Sequence, residues 1–293
     1  MSNFVPPLIN AAINNVAYPL TLTKTLIQLG YEPLPPSKGK KFGFIGKTTL
    51  LYPNGIAYMK HICKVDGVLG LGRGIGSRLV SDFVFRAVQD RGTASLNRLR
   101  NAGEPEDNSP KQKKEDSVPD LLEECAIESC AKMLAIVVSQ PFYTISVRAM
   151  AQFIGREKIY GIPFITSVRV IWREEGVSGF FAGLIPRVIS EILSLWLGKI
   201  VYYYMCKYVF VEDNHQVKAL QPYGRLIVPT LTSHFTYPFA LTSTIMAVNG
   251  SSLRAGGFPL TSVYKNWWHC LSDLVRTHDT ARGSALFNRV AKL

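Results

Sequence analysis

The sequence predicts an all-α membrane protein built from three degenerate repeats of about one hundred residues. The first observation behind this prediction is composition, because 47% of the 293 residues are hydrophobic and only 18% are charged. The second is that the apolar residues form long stretches, and roughly 20 apolar residues are enough to cross a bilayer core as a helix. The third is a short motif, an acidic residue followed by glycines, which occurs three times along the chain.

The acid–glycine motif precedes a long apolar segment in its first two copies. The third copy, residues 279–283, keeps only the acid and the glycine four residues later, and ten residues follow it. We therefore expect the third repeat to lack its second long helix, the sixth of the array. The motif residues are Asp66, Gly67, Gly70 and Arg78 in the first copy and Glu175, Gly176, Gly179 and Arg187 in the second.

About five segments have the length and apolar character of transmembrane helices: residues 6–29, 75–91, 126–153, 184–210 and 224–248. Short amphipathic helices are expected between them, lying along the membrane surface. Their apolar residues recur at i, i+4 and i+7, which places them on one face of a helix. These residues are Phe164, Val168 and Ile171 in one helix and Trp267, Leu271 and Leu274 in the other.

The domain organisation follows from the repeats. We assign residues 1–90 to the first repeat, residues 121–212 to the second, and residues 213–293 to a truncated third repeat. Residues 91–120 are charge-dense and poor in aromatic side chains, which is typical of segments without a packed core. They are expected to form an exposed polar linker.

The charge and the cysteines exclude several function classes. The net charge of +12 is scattered over helix ends apart from one expected loop patch (Lys38, Lys40, Lys41 and Lys47), which favours contact with anionic lipids over nucleic acid. The five cysteines have no regular spacing, so neither a disulfide framework nor a metal site is expected. No serine has a histidine and aspartate partner that the spacing would support, and we expect no cofactor and no enzymatic activity.

These features together resemble the mitochondrial carrier family. A proline lies near the middle of each odd-numbered helix, at Pro19, Pro141 and Pro238, and the resemblance implies that these residues are structural kinks. Residues 30–36 (GYEPLPP), 152–157 (QFIGRE) and 192–197 (ILSLWL) resemble the mitochondrial carrier homologs, a divergent outer-membrane branch. The resemblance runs essentially from end to end. It implies an incomplete carrier fold and a multi-pass location in the mitochondrial outer membrane.

The sequence departs from solute carriers at the residues that close the transport cavity. In carriers an acid follows each proline by two residues and a base follows it by five, and these residues form ion pairs between helices. Here only one base and no acid remain, so the closing network is not expected to form and an alternating-access cycle is disfavoured. The acidic positions hold Thr21, Tyr143 and Ala240, and the basic positions hold Lys24, Ser146 and Ser243.

Ionisable residues at membrane depth predict a polar groove. Such residues are costly in hydrocarbon, so they usually face water or one another. With five helices the barrel would be open between the fifth and the first, and its polar interior would face lipid. Glu128 lies four residues before Lys132, a spacing that predicts an ion pair on one helix. The expected groove residues are Lys24, Glu191, Lys132, Arg148, Lys199, Arg225 and His234.

The resemblance implies a function in protein insertion. Mitochondrial carrier homologs are understood as insertases that place tail-anchored and signal-anchored α-helical proteins in the outer membrane, where a polar groove lowers the insertion barrier. The expected partners are membrane lipids and hydrophobic α-helical client proteins. A lipid scramblase, or a docking receptor and scaffold for apoptosis regulators, remain alternatives. Transport of small solutes is disfavoured.

Overall fold

The structure is a computed structural model that is mostly helical. It describes residues 17–42, 45–102, 118–160, 164–208, 221–258, 262–287 and 289–291. Two short 3₁₀ turns, Val68–Gly72 and Arg254–Gly256, accompany the helices and strands. The elements in chain order are α1 Tyr18–Gln28, β1 Ser37–Phe42, β2 Ile45–Tyr52, α2 Gly55–Asp66, α3 Ile75–Ala102, α4 Val118–Gly155, α5 Phe164–Glu174, α6 Val177–Phe180, α7 Leu184–Tyr208, α8 Gln221–Val248, α9 Trp267–Arg276 and β3 Arg289–Val290.

Helix α3 is longer than the sequence predicted. It continues through Ala102, so residues 91–102 of the expected linker are helical. These residues include alanine, leucine and arginine, which favour helix, and Arg100 lies 3.3 Å from Glu123 of α4. Helix α4 begins at Val118, within the expected linker as well. The rest of that linker, residues 103–117, lies outside the described residues.

The all-α prediction is corrected by a small antiparallel sheet in the order β1-β2-β3. Lys38 and Lys40, expected in a loop, are exposed on β1. Lysine and glycine are poor strand formers, so the composition of β1 gave no strand signal. The pairing of β2 with β3 joins residues far apart in the sequence, which local patterns cannot predict. The side chains of Lys41 and Lys47 lie outside the described set.

The chain forms two compact units. The first contains Met1–Ser81, Gln140–Gly183 and Leu241–Leu293. Its core includes buried side chains of α1 and α4 and of the two predicted amphipathic helices, α5 and α9. The second unit contains Asp82–Ser139 and Leu184–Ala240, and so consists of parts of α3, α4 and α8 together with α7.

The acid–glycine motif has the same local geometry in its first two copies. The glycine after the acid has a positive φ, 73° at Gly67 and 66° at Gly176, a conformation that favours glycine. A Cβ at Gly70 would lie 2.5 Å from Cβ of Asp66, because the acidic residue lies directly against it. The equivalent glycine, Gly179, would place a Cβ 2.7 Å from Cβ of Glu175. The motif therefore requires a glycine four residues after the acid.

The three prolines occupy different places in their helices. Pro141 lies inside α4 and Pro238 inside α8, as predicted. Pro19 is the second residue of α1 as described, within the first helical turn, where proline is tolerated. Residues before 17 lie outside the described chain, so the kink predicted at Pro19 stays a prediction.

Several long helices expose large apolar side chains. Phe83 of α3, Leu134 of α4 and Phe235 of α8 are each more than half exposed. Exposed apolar surface of this kind marks contact with lipid or with another protein. Among the described residues, Val177–Lys207 is the segment long and apolar enough to cross a membrane by length and composition alone. The number of spans, predicted as about five, stays a prediction.

Candidate functional site

The candidate site is a polar groove in the second unit, formed mainly by α4 and α7. The charged residues recur every fourth position on α4. On α7, Glu191 and Lys199 lie eight residues apart with Leu195 between them, so each set lies on one helix face. Both faces meet in this unit, where they form ion pairs between the helices. The residues concerned are Glu124, Glu128 and Lys132 of α4 and Glu191, Leu195 and Lys199 of α7.

One ion pair joins Lys132 to Glu191. The Lys132 Nζ atom lies 2.8 Å from Oε2 of Glu191 and donates a second hydrogen bond, 3.3 Å long, to the Glu191 main-chain oxygen. The sequence predicted Glu128 as the partner of Lys132, and the structure corrects this. A spacing of four residues permits an ion pair on one helix. Glu191 of the facing helix is the partner instead, because both its carboxylate and its main-chain carbonyl lie within reach of Lys132 Nζ.

The second ion pair centres on Lys199. Its Nζ atom lies 3.2 Å from Oε1 of Glu124 and 3.1 Å from Oε2 of Glu128. The same Nζ atom is buried and makes no hydrogen bond of good geometry within the described part of the chain. The contact is therefore mainly electrostatic, and the ammonium group retains donor capacity for water or a passing polar group.

The two ion pairs border a cavity of about 320 Å³. Gly198 helps to form it, because a Cβ at this position would meet no atom within 4 Å. Beside it, Trp196 Nε1 donates a 2.9 Å hydrogen bond to Ser129 Oγ, which fixes α7 against α4. The lining residues are Gln89, Glu128, Lys132, Ser194, Leu195, Gly198 and Lys199.

Charges of the groove differ in accessibility. The side chains of Lys132 and Lys199 are 15% and 20% exposed, whereas those of Glu191 and Glu124 are 44% and 60% exposed. The lysines thus lie beneath the carboxylates, which are the charges that an approaching molecule meets first. These carboxylates and ammonium groups can form the hydrogen bonds and ion pairs that a hydrophilic peptide segment otherwise makes with water.

Lys24, predicted for the groove, lies in the first unit and is half-buried in α1. It stands five residues after Pro19, and the equivalent residues after the other prolines are serines. Ser146 Oγ donates to the Gly74 carbonyl at 3.2 Å, and Ser243 Oγ donates to the Gly183 carbonyl at 2.9 Å. Two of the three positions that carry the basic gate residue in solute carriers therefore hold serines that donate hydrogen bonds to main-chain carbonyls.

Arg148, also predicted for the groove, lies in the first unit and forms an ion pair with Glu175. Its side chain is fully buried in the first unit, and its guanidinium forms a bidentate pair with Glu175 at 2.5 and 2.8 Å. Arg148 Nε also donates to the Ala247 carbonyl at 2.9 Å. A buried charge needs partners, and here the acid of the second motif copy is one of them.

Two predicted residues lie on α8. His234 lies on α8 in the second unit and is exposed. The side chain of Arg225 lies outside the described set. Of the seven predicted residues, the structure brings together Lys132, Glu191 and Lys199.

Sequence reasoning missed five residues of the site: Gln89, Glu124, Ser194, Leu195 and Gly198. Glu124 was detectable, since it lies four and eight residues before Glu128 and Lys132 on the same helix face. Gln89 and Gly198 gave no signal, because neither a lone amide nor a helical glycine indicates a cavity until its neighbours are known.

Comparison with known proteins places the chain in a family. A family model described as mitochondrial carrier protein matches residues 118–214, which include α4 and α7. The mouse protein named mitochondrial carrier homolog 2 is 34% identical over 285 residues, covering 96% of this chain and 92% of the relative. The chain belongs to the mitochondrial carrier homologs. The human homolog 2 is 33% identical with the same coverage, and mouse mitochondrial carrier homolog 1 is 32% identical over 97% of this chain and 76% of its own length.

Membership has a direct consequence for the location of the site. A mitochondrial carrier homolog is a protein of a mitochondrial membrane. The charged groove lies on helices that also expose apolar side chains, such as Leu134 of α4 and Ile185 of α7. In a membrane protein this combination presents both a polar and an apolar surface along the same pair of helices.

Proposed function

We propose that this mitochondrial carrier homolog is an insertase of the outer mitochondrial membrane for tail-anchored and signal-anchored α-helical proteins. The observation that carries the proposal is the charged groove between α4 and α7, with its cavity of about 320 Å³. The proposed activity lowers a physical barrier and breaks no covalent bond, and the protein acts as a multi-pass membrane protein with lipids and hydrophobic client helices as partners.

The barrier to insertion lies in the hydrophilic end of the client. Polar and charged groups cost several kcal/mol each when moved into hydrocarbon without partners. The groove offers carboxylates at Glu124 and Glu191 and the donor capacity of Lys199 Nζ. A hydrophilic end that crosses beside these groups keeps part of its solvation, and the barrier falls.

The apolar part of the client needs a different surface. Leu134 and Val138 of α4 are exposed on the helix that carries Lys132. A client helix can exchange contacts with such side chains for contacts with lipid at little cost in free energy, because lipid tails are as apolar as leucine. We propose that the hydrophilic end follows the groove while the apolar segment leaves into lipid beside it.

Solute transport is a weaker account of the same fold. At the gate positions, Ser146 donates a hydrogen bond to the Gly74 carbonyl and Ser243 donates one to the Gly183 carbonyl. Serine cannot form the ion pairs that open and close in a solute carrier. Alternating access requires two closed states of similar energy. The residues present supply no such pair of gates.

The test uses purified protein in liposomes and a tail-anchored client carrying a C-terminal tag. Insertion is measured as protection of the tag from external protease. We expect faster protection than in empty liposomes, a slower rate for Lys199→Gln, and an unchanged rate for Arg100→Gln, which breaks the exposed Arg100–Glu123 pair of the same unit. A rate equal to that of empty liposomes contradicts the proposal.

The same groove supports lipid scrambling as a second candidate function, because lipid head groups can also slide along polar side chains. Reduction of fluorescent lipid by external dithionite in the same liposomes distinguishes the two activities. Docking of apoptosis regulators stays a prediction that concerns the linker, whose residues 103–117 lie outside the described chain. Deletion of these residues tests it.

A further inference from the structure

The segment after α9 returns to the first repeat. In the first two motif copies a long helix follows, α3 after Asp66 and α7 after Glu175. After the third copy the described chain turns instead and ends in β3, which pairs with β2. All of these contacts lie within the first unit.

The first contact is made by the third motif copy itself. Arg282 is held by Asp279 at 3.1 Å, and its Nε donates a 3.0 Å hydrogen bond to the carbonyl of Gln28. Gln28 is the last residue of α1, where helix carbonyls lack partners within the helix. The motif thus caps the helix that carries Lys24.

The second contact lies at the start of α2. The main-chain N–H of Gly55 donates to the carbonyl of Leu286 at 2.7 Å. A Cβ at Gly55 would lie 3.2 Å from Cβ of Leu286, so the close approach favours a glycine. Leu286 also packs against the core of the unit.

The third contact is the strand pairing. Leu51 and Tyr52 pair with Val290 and Arg289, and the Ala291 N–H donates to the Leu50 carbonyl at 2.8 Å. A ladder of two residue pairs is short, and even an isolated two-stranded hairpin is at best marginally stable in water. The strand therefore needs an additional anchor.

Arg289 supplies that anchor. Its side chain is only 8% exposed and forms an ion pair with Glu32. The guanidinium also donates to the Pro53 carbonyl at 2.7 Å and lies over the ring of Tyr52 at 5.5 Å. One side chain thereby joins the segment after α1, the end of β2 and β3.

We propose that residues 279–287 and 289–291 form a strap that closes the third repeat onto the first and is anchored by Arg289. The strap follows the third motif copy in the sequence, whereas a long helix follows each of the first two copies. It fixes the end of α1 and the edge of β2, and so restrains the helix that carries Lys24. The proposal is independent of the insertase proposal.

Hydrogen exchange measured by mass spectrometry tests the anchor. Arg289→Gln is expected to raise exchange several-fold in residues 28–32 and 45–52 while residues 164–174 keep their protection. Arg289→Lys keeps the charge but not the two-pronged contact, and we expect an intermediate effect. The control is Arg276→Gln, at an exposed arginine of α9, which is expected to change neither segment. Unchanged exchange in residues 45–52, or a rise that is uniform over the unit, overturns the proposal.

A cross-link tests the strap without removing a side chain. Leu51 pairs with Val290 on one side and with Ser37 on the other, so the strap predicts a disulfide in Leu51→Cys/Val290→Cys. In the control, Ser37→Cys/Val290→Cys, the residues are two strand spacings apart, about 9.6 Å, beyond the roughly 7 Å limit for a disulfide. Under mild oxidant, peptide mapping should find the first cross-link and not the second. Absence of the first, or equal yields of both, contradicts the strap.

Discussion

Lys132 of α4 pairs with Glu191 of α7 at 2.8 Å, not with Glu128 one turn before it on its own helix. The consequence is that the charges of the groove tie two helices together. Glu128 and Glu124 both contact Lys199. The two helices are therefore joined by ion pairs between three carboxylates and two lysines. The groove therefore depends on the matching of charges across the interface.

The first prediction exchanges the charges of this pair. Lys132→Glu places two carboxylates together, and Glu191→Lys places two ammonium groups together, so we expect each single variant to change the insertion rate at least threefold. The double variant restores opposite charges across the same helices and should recover most of the wild-type rate. The assay is protease protection of a tail-anchored client in liposomes. If the double variant is no closer to wild type than the singles, the pair does not control the groove.

The second prediction concerns Arg148. Removing one partner of a buried ion pair typically costs about 3–5 kcal/mol because the other charge stays buried. We therefore expect Arg148→Met to lower the thermal midpoint of the detergent-solubilised protein strongly. Arg148→Met with Glu175→Gln should lose less than the sum of the two singles. Additive losses would show that the pair seen at 2.5 and 2.8 Å makes no coupled contribution.

The third prediction compares two glycines. Gly183 has φ +73° and a Cβ there would lie 2.4 Å from the Ser243 carbonyl oxygen. Gly183→Ala should cost about 2 kcal/mol or more, since strained backbone alone costs about 1–3 kcal/mol. Gly198→Ala meets no atom within 4 Å and should be neutral or slightly stabilising. Thermal unfolding of the two variants gives the comparison, and equal midpoints would refute it.

The fourth prediction uses the thiol of Cys270 in α9. Burial raises the pKa of this thiol from its ordinary value of 9.0 to about 12. The contribution of this thiol to the free energy of unfolding is therefore fully present below pH 9.0 and is lost as the pH rises toward 12. We expect maleimide to modify the half-buried Cys63 well before Cys270 at pH 7 and at pH 9. Rapid labelling of Cys270 at pH 9 would contradict its burial.

Several helices of the fold could be predicted from the sequence because their signals are local. The stripes of Phe164, Val168 and Ile171 and of Trp267, Leu271 and Leu274 gave α5 and α9. The sheet was missed for the opposite reason. The lysine-rich β1 carries no strand signal, and β3 is joined to the segment after α1 by the Arg289–Glu32 ion pair across 257 residues, which local patterns cannot predict.

The site was predicted in part for a similar reason. Lys132, Glu191 and Lys199 were found because ionisable residues on apolar helices need partners. Their pairing was not found, since spacing along one helix says nothing about the facing helix. Arg148 satisfies the same rule through Glu175 and lies in the core of the first unit, so the rule alone cannot separate a groove from a buried pair.

The insertion rate of Gly198→Leu tests the central claim most directly, because a leucine here has room on the helix and fills the cavity of about 320 Å³ beside Lys132 and Lys199. Gly76→Leu is the matched control, at an exposed glycine of α3 that also has no atom within 4 Å of a new Cβ. We predict that Gly198→Leu keeps the thermal midpoint of wild type but inserts a tail-anchored client several-fold more slowly, while Gly76→Leu inserts at the wild-type rate. A folded Gly198→Leu protein with an unchanged insertion rate would contradict the assignment of the groove as the insertion path.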